Sequence, residues 1–259
     1  MTPRPTVLCL SGHDPGGGAG VQADIETAAA LGGHAACLIT AHTVQDTRDV
    51  RRVVAADLSL LREQADVLLA DIEVGGIKVG LLGAPGQTAF IAELAGRLPR
   101  PLVLDPVLRA GGGAELATGA LVEAIRRDLL PHVEVLTPNA AEARRLAGTD
   151  DLAACGAALL AAGARNVLIT GGDEPGEAVV NRWFRRDGAP RAFSWPRLPG
   201  PFHGAGCTLA TAIATLLAHG RPVAEALVDA QAWVHGALER ALAPGRGRPI
   251  PGRDPGRAP

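Results

Sequence analysis

The feature that most constrains this chain is an alternation of short, wholly apolar runs with longer stretches of helical period. Apolar runs fall at residues 7–10, 35–40, 76–81, 102–104, 133–136 and 167–169. None alternates polar and apolar side chains, which is the pattern of a strand covered on both faces. Helical patterns occupy 20–31, 58–69, 87–98, 116–129, 140–146 and 152–162 between them. Strand and helix in strict alternation predict a parallel sheet wrapped by helices. A shorter period at 177–184 and 192–195 predicts an antiparallel pair. Helices at 205–218 and 223–242 close the domain, which is expected to span residues 1–243 without an internal linker. Residues 244–259 hold only Pro, Gly, Arg, Asp, Ala and one Ile. Such a segment buries too little surface to offset its ordering entropy and is expected to be mobile.

Composition excludes several classes. The chain carries 25 Lys+Arg against 27 Asp+Glu, so no basic surface calls for nucleic acid or an anionic membrane. No apolar run reaches the roughly 18 residues of a membrane span. The first residues enter an apolar strand too short for a secretory core, which predicts a cytoplasmic protein. Cys9, Cys37, Cys155 and Cys207 form no CxxC pair, so neither zinc nor a disulfide framework is indicated. Lys78 is the only lysine, and it stands in no Gly-Lys-Ser/Thr step, so a Walker A loop is absent. Three serines, none in a G-x-S-x-G elbow, leave a serine hydrolase without its nucleophile.

In open α/β sheets the chemistry sits beyond the carboxyl ends of the strands, and there this chain is polar and glycine-rich. Ser11-Gly-His-Asp-Pro-Gly-Gly-Gly-Ala-Gly20 follows the first strand. It lacks dinucleotide spacing, but it allows backbone amides to approach a ligand. In the next helix Asp24 falls on the sheet-facing arc. A carboxylate there is costly unless bonded, and it reads either as a ligand contact or as an early-turn acid favoured by the dipole. Gln45 follows the second strand as another amide, or as ordinary loop solvation. Asp105 ends a strand. Asn139 and Glu142 are spaced as a capping box, and the same spacing can hold waters around a magnesium–phosphate group. Gly204-Ala-Gly-Cys207 opens a helix, where free amides and the positive dipole end suit an anion. Cys207 in that first turn is expected to have a lowered pKa, or else to be an inert buried thiol.

Taken in order, these motifs resemble the hydroxymethylpyrimidine/phosphomethylpyrimidine kinases of thiamin biosynthesis, within the ribokinase-like superfamily. The likeness rests on residues 11–24, Val44-Gln-Asp-Thr-Arg48, Ile77-Lys-Val-Gly80, Leu104-Asp-Pro-Val107, Leu136-Thr-Pro-Asn-Ala-Ala-Glu142 and His203-Gly-Ala-Gly-Cys-Thr208. It implies a three-layer α/β/α fold with a mostly parallel central sheet and no large separate lid domain. It also implies Mg2+- and ATP-dependent phosphorylation of 4-amino-5-hydroxymethyl-2-methylpyrimidine and its monophosphate, commonly by a homodimer. By this resemblance Gly12, Asp24, Gln45, Leu81 and Val107 belong to the pyrimidine pocket, and Gly204, Ala205, Gly206 and Cys207 to the catalytic anion hole. Asn139, Glu142, Thr170 and Gly172 would meet the nucleotide and its phosphates. Asp105 and Glu142 would hold magnesium through water. Thr170 stands where the family often has lysine, and Leu81 where it often has methionine. A pyridoxal or pyridoxine kinase of the same superfamily, or a non-catalytic pyrimidine- or nucleotide-binding relic, are the alternatives.

Overall fold

The computed structural model describes residues 4–109, 113 and 116–254. Nine strands form one sheet in the order β3-β2-β1-β4-β5-β6-β7-β8-β9. β1 (Thr6–His13) lies third from one edge and pairs in parallel with both β2 (His34–Gln45) and β4 (Gly76–Val79). Parallel pairing continues through β5 (Leu102–Leu104), β6 (Val135–Leu136) and β7 (Asn166–Ile169). β8 (Ala178–Arg185) and β9 (Arg191–Pro196) complete that edge as the expected antiparallel pair. Chain order reverses at β1, so the crevice between the ends of β1 and β4 is where a ligand site belongs.

Successive side chains on each strand feed two cores, because strand side chains alternate faces. Leu8 and Leu10 of β1 pack with one cluster, and Val7 and Cys9 with the other. The first core is covered by α2 (Leu58–Asp71), α3 (Gly86–Arg97), α5 (Ala140–Ala147) and α6 (Leu152–Ala161), together with α4 (Gly119–Ala124) and the π-helical turn that continues it. The second is covered mainly by α7 (Ala205–Ala218) and α8 (Val223–Glu239), with α1 (Gly20–Ala30) alongside α7. α7 is buried along most of its length. Its small residues Ala210, Ala212 and Ala214 let it lie close to the sheet.

Two expectations need correction. The second strand does not stop at Thr40 but runs to Gln45, and β3 (Val50–Ala55) pairs back on it antiparallel. β3 reads Val-Arg-Arg-Val-Val-Ala and is largely exposed, so it has no apolar signature. The hairpin overhangs the carboxyl edge of the sheet as a small flap. The tail is also ordered through residue 254. Leu242 and Ile250 exchange two backbone bonds of 2.8 Å, and Gly252 N donates to Ala237 O at 2.8 Å. Arg253, 3% exposed, donates to Thr208 Oγ1 at 2.9 Å, Glu26 Oε2 at 3.0 Å and Gly18 O at 2.5 Å. Composition argues against order because it counts apolar area. Here backbone bonds and one buried guanidinium with several acceptors supply the attachment. Residues 255–259, part of the same expectation, lie outside the described residues.

Arg253→Ala should therefore lower the unfolding free energy by about 2 kcal/mol, since it removes charge-assisted bonds and leaves buried acceptors unmatched. Urea denaturation followed by circular dichroism measures this; a loss below about 0.5 kcal/mol, usual for a surface change, would contradict it.

Candidate active site

Five strand ends meet in one place. Gly12 lies at the end of β1, Leu81 beyond β4, Asp105 and Val107 beyond β5, Asn139 beyond β6 and Thr170 beyond β7. All six line a cavity of about 320 Å³. The flap adds Thr43, Gln45, Asp46, Asp49 and Val50, and the turn into α7 adds Gly204–Cys207. A second cavity of about 370 Å³ adjoins it, walled by Trp195, Pro201, Leu209, Val234 and Leu238. Thr170, Gly172, Asp173, Phe202, Ala205, Gly206 and Arg248 line both. The start of α7 is thus a shared wall between an acid-lined chamber and a groove walled by Trp195, Leu209 and Val234.

The turn into α7 is built to leave its amides open. Gly204 caps the helix at φ +82°, and a Cβ there would collide with the Gly18 carbonyl. Only glycine permits both the conformation and the approach. Thr208 N closes the first helical bond to Gly204 O at 3.0 Å. The amides of Ala205, Gly206 and Cys207 have no acceptor among the described residues. Three free N–H groups at the positive end of a 14-residue helix form a site for an anion.

The glycine-rich loop is held by Asp14, whose carboxylate accepts from Gly16, Gly18 and Ala19 amides at 2.8, 3.0 and 3.0 Å. His203 Nε2 approaches the same carboxylate at 2.8 Å, so Asp14 joins this loop to the turn before α7. Burial alone would raise the Asp14 pKa. Hydrogen bonds from His203, Gln45 and Gly16 outweigh it and hold the group at about 2. A depressed carboxylate contributes stability above its unfolded value near 4 that disappears as pH falls toward 2.

Asn139 and Glu142 do form the capping box at the start of α5. Glu142 Oε2 accepts from Asn139 N at 3.0 Å and Oε1 from Leu108 N at 3.1 Å. Burial and the nearby Asp105 push Glu142 up to about 8. Burial likewise lifts Asp105 to about 6 against the pull of Lys78. The Asp105 carboxylate faces Gly206, where a Cβ would lie 3.4 Å from Oδ2. Among the described residues no three acidic, imidazole or thiol groups converge as a metal cage. Two destabilised carboxylates, one with each oxygen already accepting an amide, fit a magnesium ion that keeps its waters and takes inner ligands from phosphate.

Two site expectations are overturned. Asp24 does not line either cavity. It is 0% exposed, as is Lys78, and its Oδ1 accepts from Lys78 Nζ at 2.7 Å and Thr211 Oγ1 at 2.6 Å. Lys78 Nζ also donates to Ser11 Oγ at 2.8 Å. The sheet-facing acid is matched by the chain's one lysine rather than by a ligand. Cys207 does not have a lowered pKa. Burial raises it to about 11, with Asp105 and Asp24 opposing ionisation and Lys78 favouring it. At neutral pH it is a thiol, within hydrogen-bonding reach of the Asp105 carboxylate. Local helix geometry favours a thiolate; burial, helped by the neighbouring acids, outweighs it. Lys78, Asp14 and His203 stand in motifs that the sequence singles out, but neither they nor Arg248 carry a role in the site from sequence alone. A lone lysine inside an apolar strand was the available signal for the first; the others had none beyond their place in loops.

Lys78→Met should cost roughly 3–5 kcal/mol, because it strands a buried carboxylate, while Lys78→Met combined with Asp24→Asn should recover much of that loss. Equilibrium unfolding of the single and double variants measures the coupling, and additive losses would contradict a direct pair. On acidification, Asp14→Asn should be less stable than wild type at pH 7, with the difference closing between about pH 4 and 2; a difference that persists at pH 2 would contradict the charge-based role.

Residues 14–251 match the phosphomethylpyrimidine kinase family. The chain is 37% identical over 249 residues to the hydroxymethylpyrimidine/phosphomethylpyrimidine kinase of Rhizobium meliloti, covering 93% of this chain and 94% of that protein. It is 38% identical over 253 residues to the thiamine biosynthesis bifunctional protein ThiED of Geobacter sulfurreducens, covering 95% of this chain but only about half, 51%, of that longer protein. Among solved structures, the ADP complex of Bacillus subtilis pyridoxal kinase superposes with a TM-score of 0.89 at 26% identity, covering 96% of this chain and 97% of that one. The fold is thus ribokinase-like, as expected, and with the family match running through almost every strand and both glycine-rich turns, the chain belongs to the phosphomethylpyrimidine kinase family.

Proposed function

We propose that this protein phosphorylates 4-amino-5-hydroxymethyl-2-methylpyrimidine and then its monophosphate, using ATP, as a step in making thiamin diphosphate. The observation that supports it best is the set of three unpaired amides at the start of α7, standing on the wall shared by two cavities. The pyrimidine takes the chamber lined by Gly12, Gln45, Leu81 and Val107. Leu81 and Val107 offer apolar faces to a ring, and Gln45 offers an amide to its nitrogens. ATP takes the adjoining groove, with its phosphates over Ala205–Cys207 and near Thr170, Gly172 and Asn139. ADP bound to the similar Bacillus subtilis kinase supports a nucleotide donor. The same reading carries a cytoplasmic location and a homodimer, the latter checked by sedimentation equilibrium.

Phosphoryl transfer asks for alignment and charge neutralisation more than for covalent chemistry. The amides of Ala205, Gly206 and Cys207 hold the charge that develops on the migrating group. The neutral Cys207 thiol, tied to Asp105, orients the substrate hydroxyl rather than deprotonating it in advance. A loose transition state tolerates this, because the nucleophile gives up its proton late. Thr170 supplies a hydroxyl beside the phosphates. Asp105 and Glu142 would hold magnesium through its waters; bound there, the ion would offset the negative charge of the phosphates.

The chemical test is phosphorus NMR of ATP, magnesium and the hydroxymethylpyrimidine with the protein. A monoester resonance should appear first and a diphosphate later, with ADP formed in step; ADP formation that ignores the pyrimidine would contradict the reading. Pyridoxal kinase is favoured by the structural likeness alone, and pyridoxal in the same assay should be turned over at least about tenfold less efficiently, the discrimination one pocket contact can supply.

Glu142→Gln separates function from stability. A raised carboxylate destabilises the ligand-free fold as pH climbs from about 4.5 toward 8. Gln cannot ionise, but its Nε2 cannot accept one of the two amides that Glu142 holds. The variant's stability should thus change less than wild type's between about pH 5 and 8, while kcat falls about a hundredfold. A pH dependence equal to that of wild type, or full activity, would contradict the assignment. Cys207→Ser should stay within about tenfold of wild type and Cys207→Ala should lose about a hundredfold, the low end for a group that handles a proton; equal rates in wild type and Cys207→Ala would remove the thiol from the mechanism.

A further inference from the structure

The C-terminal segment brings a cation to the junction of the two cavities, and the mechanism so far leaves it without a task. Gly247 N donates to Thr47 Oγ1 at 2.9 Å, and Arg248 N to Thr47 O at 2.9 Å. His203 N donates to Pro249 O at 2.9 Å. The segment is therefore fastened to the flap on one side and to the turn before α7 on the other. A Cβ at Gly247 would collide with the Thr47 backbone, so the close approach depends on glycine. Between these ties Arg248 lines both cavities. Its Nη2 donates to the Arg48 carbonyl at 2.7 Å, which orients a guanidinium that has five N–H donors in all. It forms no ion pair with any described residue, although Asp14, Asp46, Asp49, Asp105, Glu142 and Asp173 share its cavity wall.

Charge indicates what this arginine is for. Lys78 is buried and committed to Asp24, so among the described residues the permanent cations on the chamber wall are Arg109 and Arg248. When the acceptor is an alcohol, one phosphate chain reaches the junction. When the acceptor is a phosphate monoester, two anionic groups meet there, and the attacking oxygen is itself charged. The second transfer needs one more positive group at the junction than the first. Resting on the kinase reading above, we infer that Arg248 binds the acceptor phosphate of the monophosphorylated substrate and thereby selects for the second phosphorylation. In that step an acceptor phosphate oxygen forms a bond to the γ-phosphorus. The bond from that phosphorus to the β,γ-bridging oxygen breaks, and ADP departs with the electron pair. The guanidinium keeps its protons throughout and offers the paired donors that match phosphate geometry.

Steady-state kinetics of wild type, Arg248→Gln and Arg248→Lys, on the alcohol and on the monophosphate at saturating magnesium–ATP, test this. Wild-type turnover of both substrates examines the kinase reading, and the change in their ratio examines Arg248 separately. Arg248→Gln should lower kcat/KM for the monophosphate about a hundredfold and for the alcohol less than tenfold, the size of one lost charge-assisted contact. Arg248→Lys should recover part of the difference, as a charge without the fork. Equal losses on both substrates would assign Arg248 to the nucleotide or to the fold and overturn the inference, as would no loss at all. A wild-type protein that turns over neither pyrimidine removes the reading and the inference together.

Discussion

Three backbone amides at the start of α7 have no acceptor among the described residues, and the remainder of the site is arranged around that fact. An open helix start of this kind is stable only where its direction is fixed. α7 is fixed by burial between the sheet and α8, with α1 alongside. Its entry is fixed by Gly204 packed on the Gly18 carbonyl, by Asp14 bridging the glycine-rich loop to His203, and by Arg253 reaching Thr208 and Gly18. Two loops and the C-terminal segment therefore converge on one turn. The donors are set in place before any ligand arrives, which is the condition for strong electrostatic stabilisation of a transferring group.

Electrostatics around that turn run in two layers. Beneath the site, Lys78 and Asp24 form a buried pair that locks β4 to α1, and Thr211 ties α7 to the same carboxylate. Asp24 Oδ2 is left without a hydrogen-bond partner, so the pair is held more by its countercharge than by full satisfaction. Above it, Asp105 and Glu142 are buried with raised pKa values, which weakens the ligand-free fold. Such groups persist where the chemistry needs a negative wall. The Cys207 thiol stays neutral beside these groups, kept protonated chiefly by burial, with Asp105 and Asp24 adding to it against the pull of Lys78.

Much of this was visible in the chain itself. The parallel strands were readable because burial on both faces leaves no polar residue in a short run, and the edge of the sheet that carries the chemistry followed from where each run ended. The Asn139–Glu142 capping box was legible because its geometry is local. Asp24 was not, because the same sheet-facing position suits a ligand contact or a lysine 54 residues away in sequence. Cys207 misled for a related reason: helix position predicts a thiolate, and only the tertiary structure reveals the burial and the opposing acids. β3 carries two arginines and lies exposed at an edge, so it left no pattern. The ordered tail was hidden because composition counts apolar area, whereas backbone bonds to Thr47, His203, Leu242 and Ala237 and one buried arginine with well-placed acceptors anchor residues 247–253.

The most direct measurement is a crystal structure with ADP, tetrafluoroaluminate and the hydroxymethylpyrimidine, in which the aluminium fluoride stands in for the phosphoryl group in flight. The account predicts fluorine atoms within about 3 Å of the Ala205, Gly206 and Cys207 amides, the pyrimidine on Gln45 and Val107, and adenine in the groove beside Leu209. A fluoride group seated elsewhere, with those amides still facing water, would contradict it.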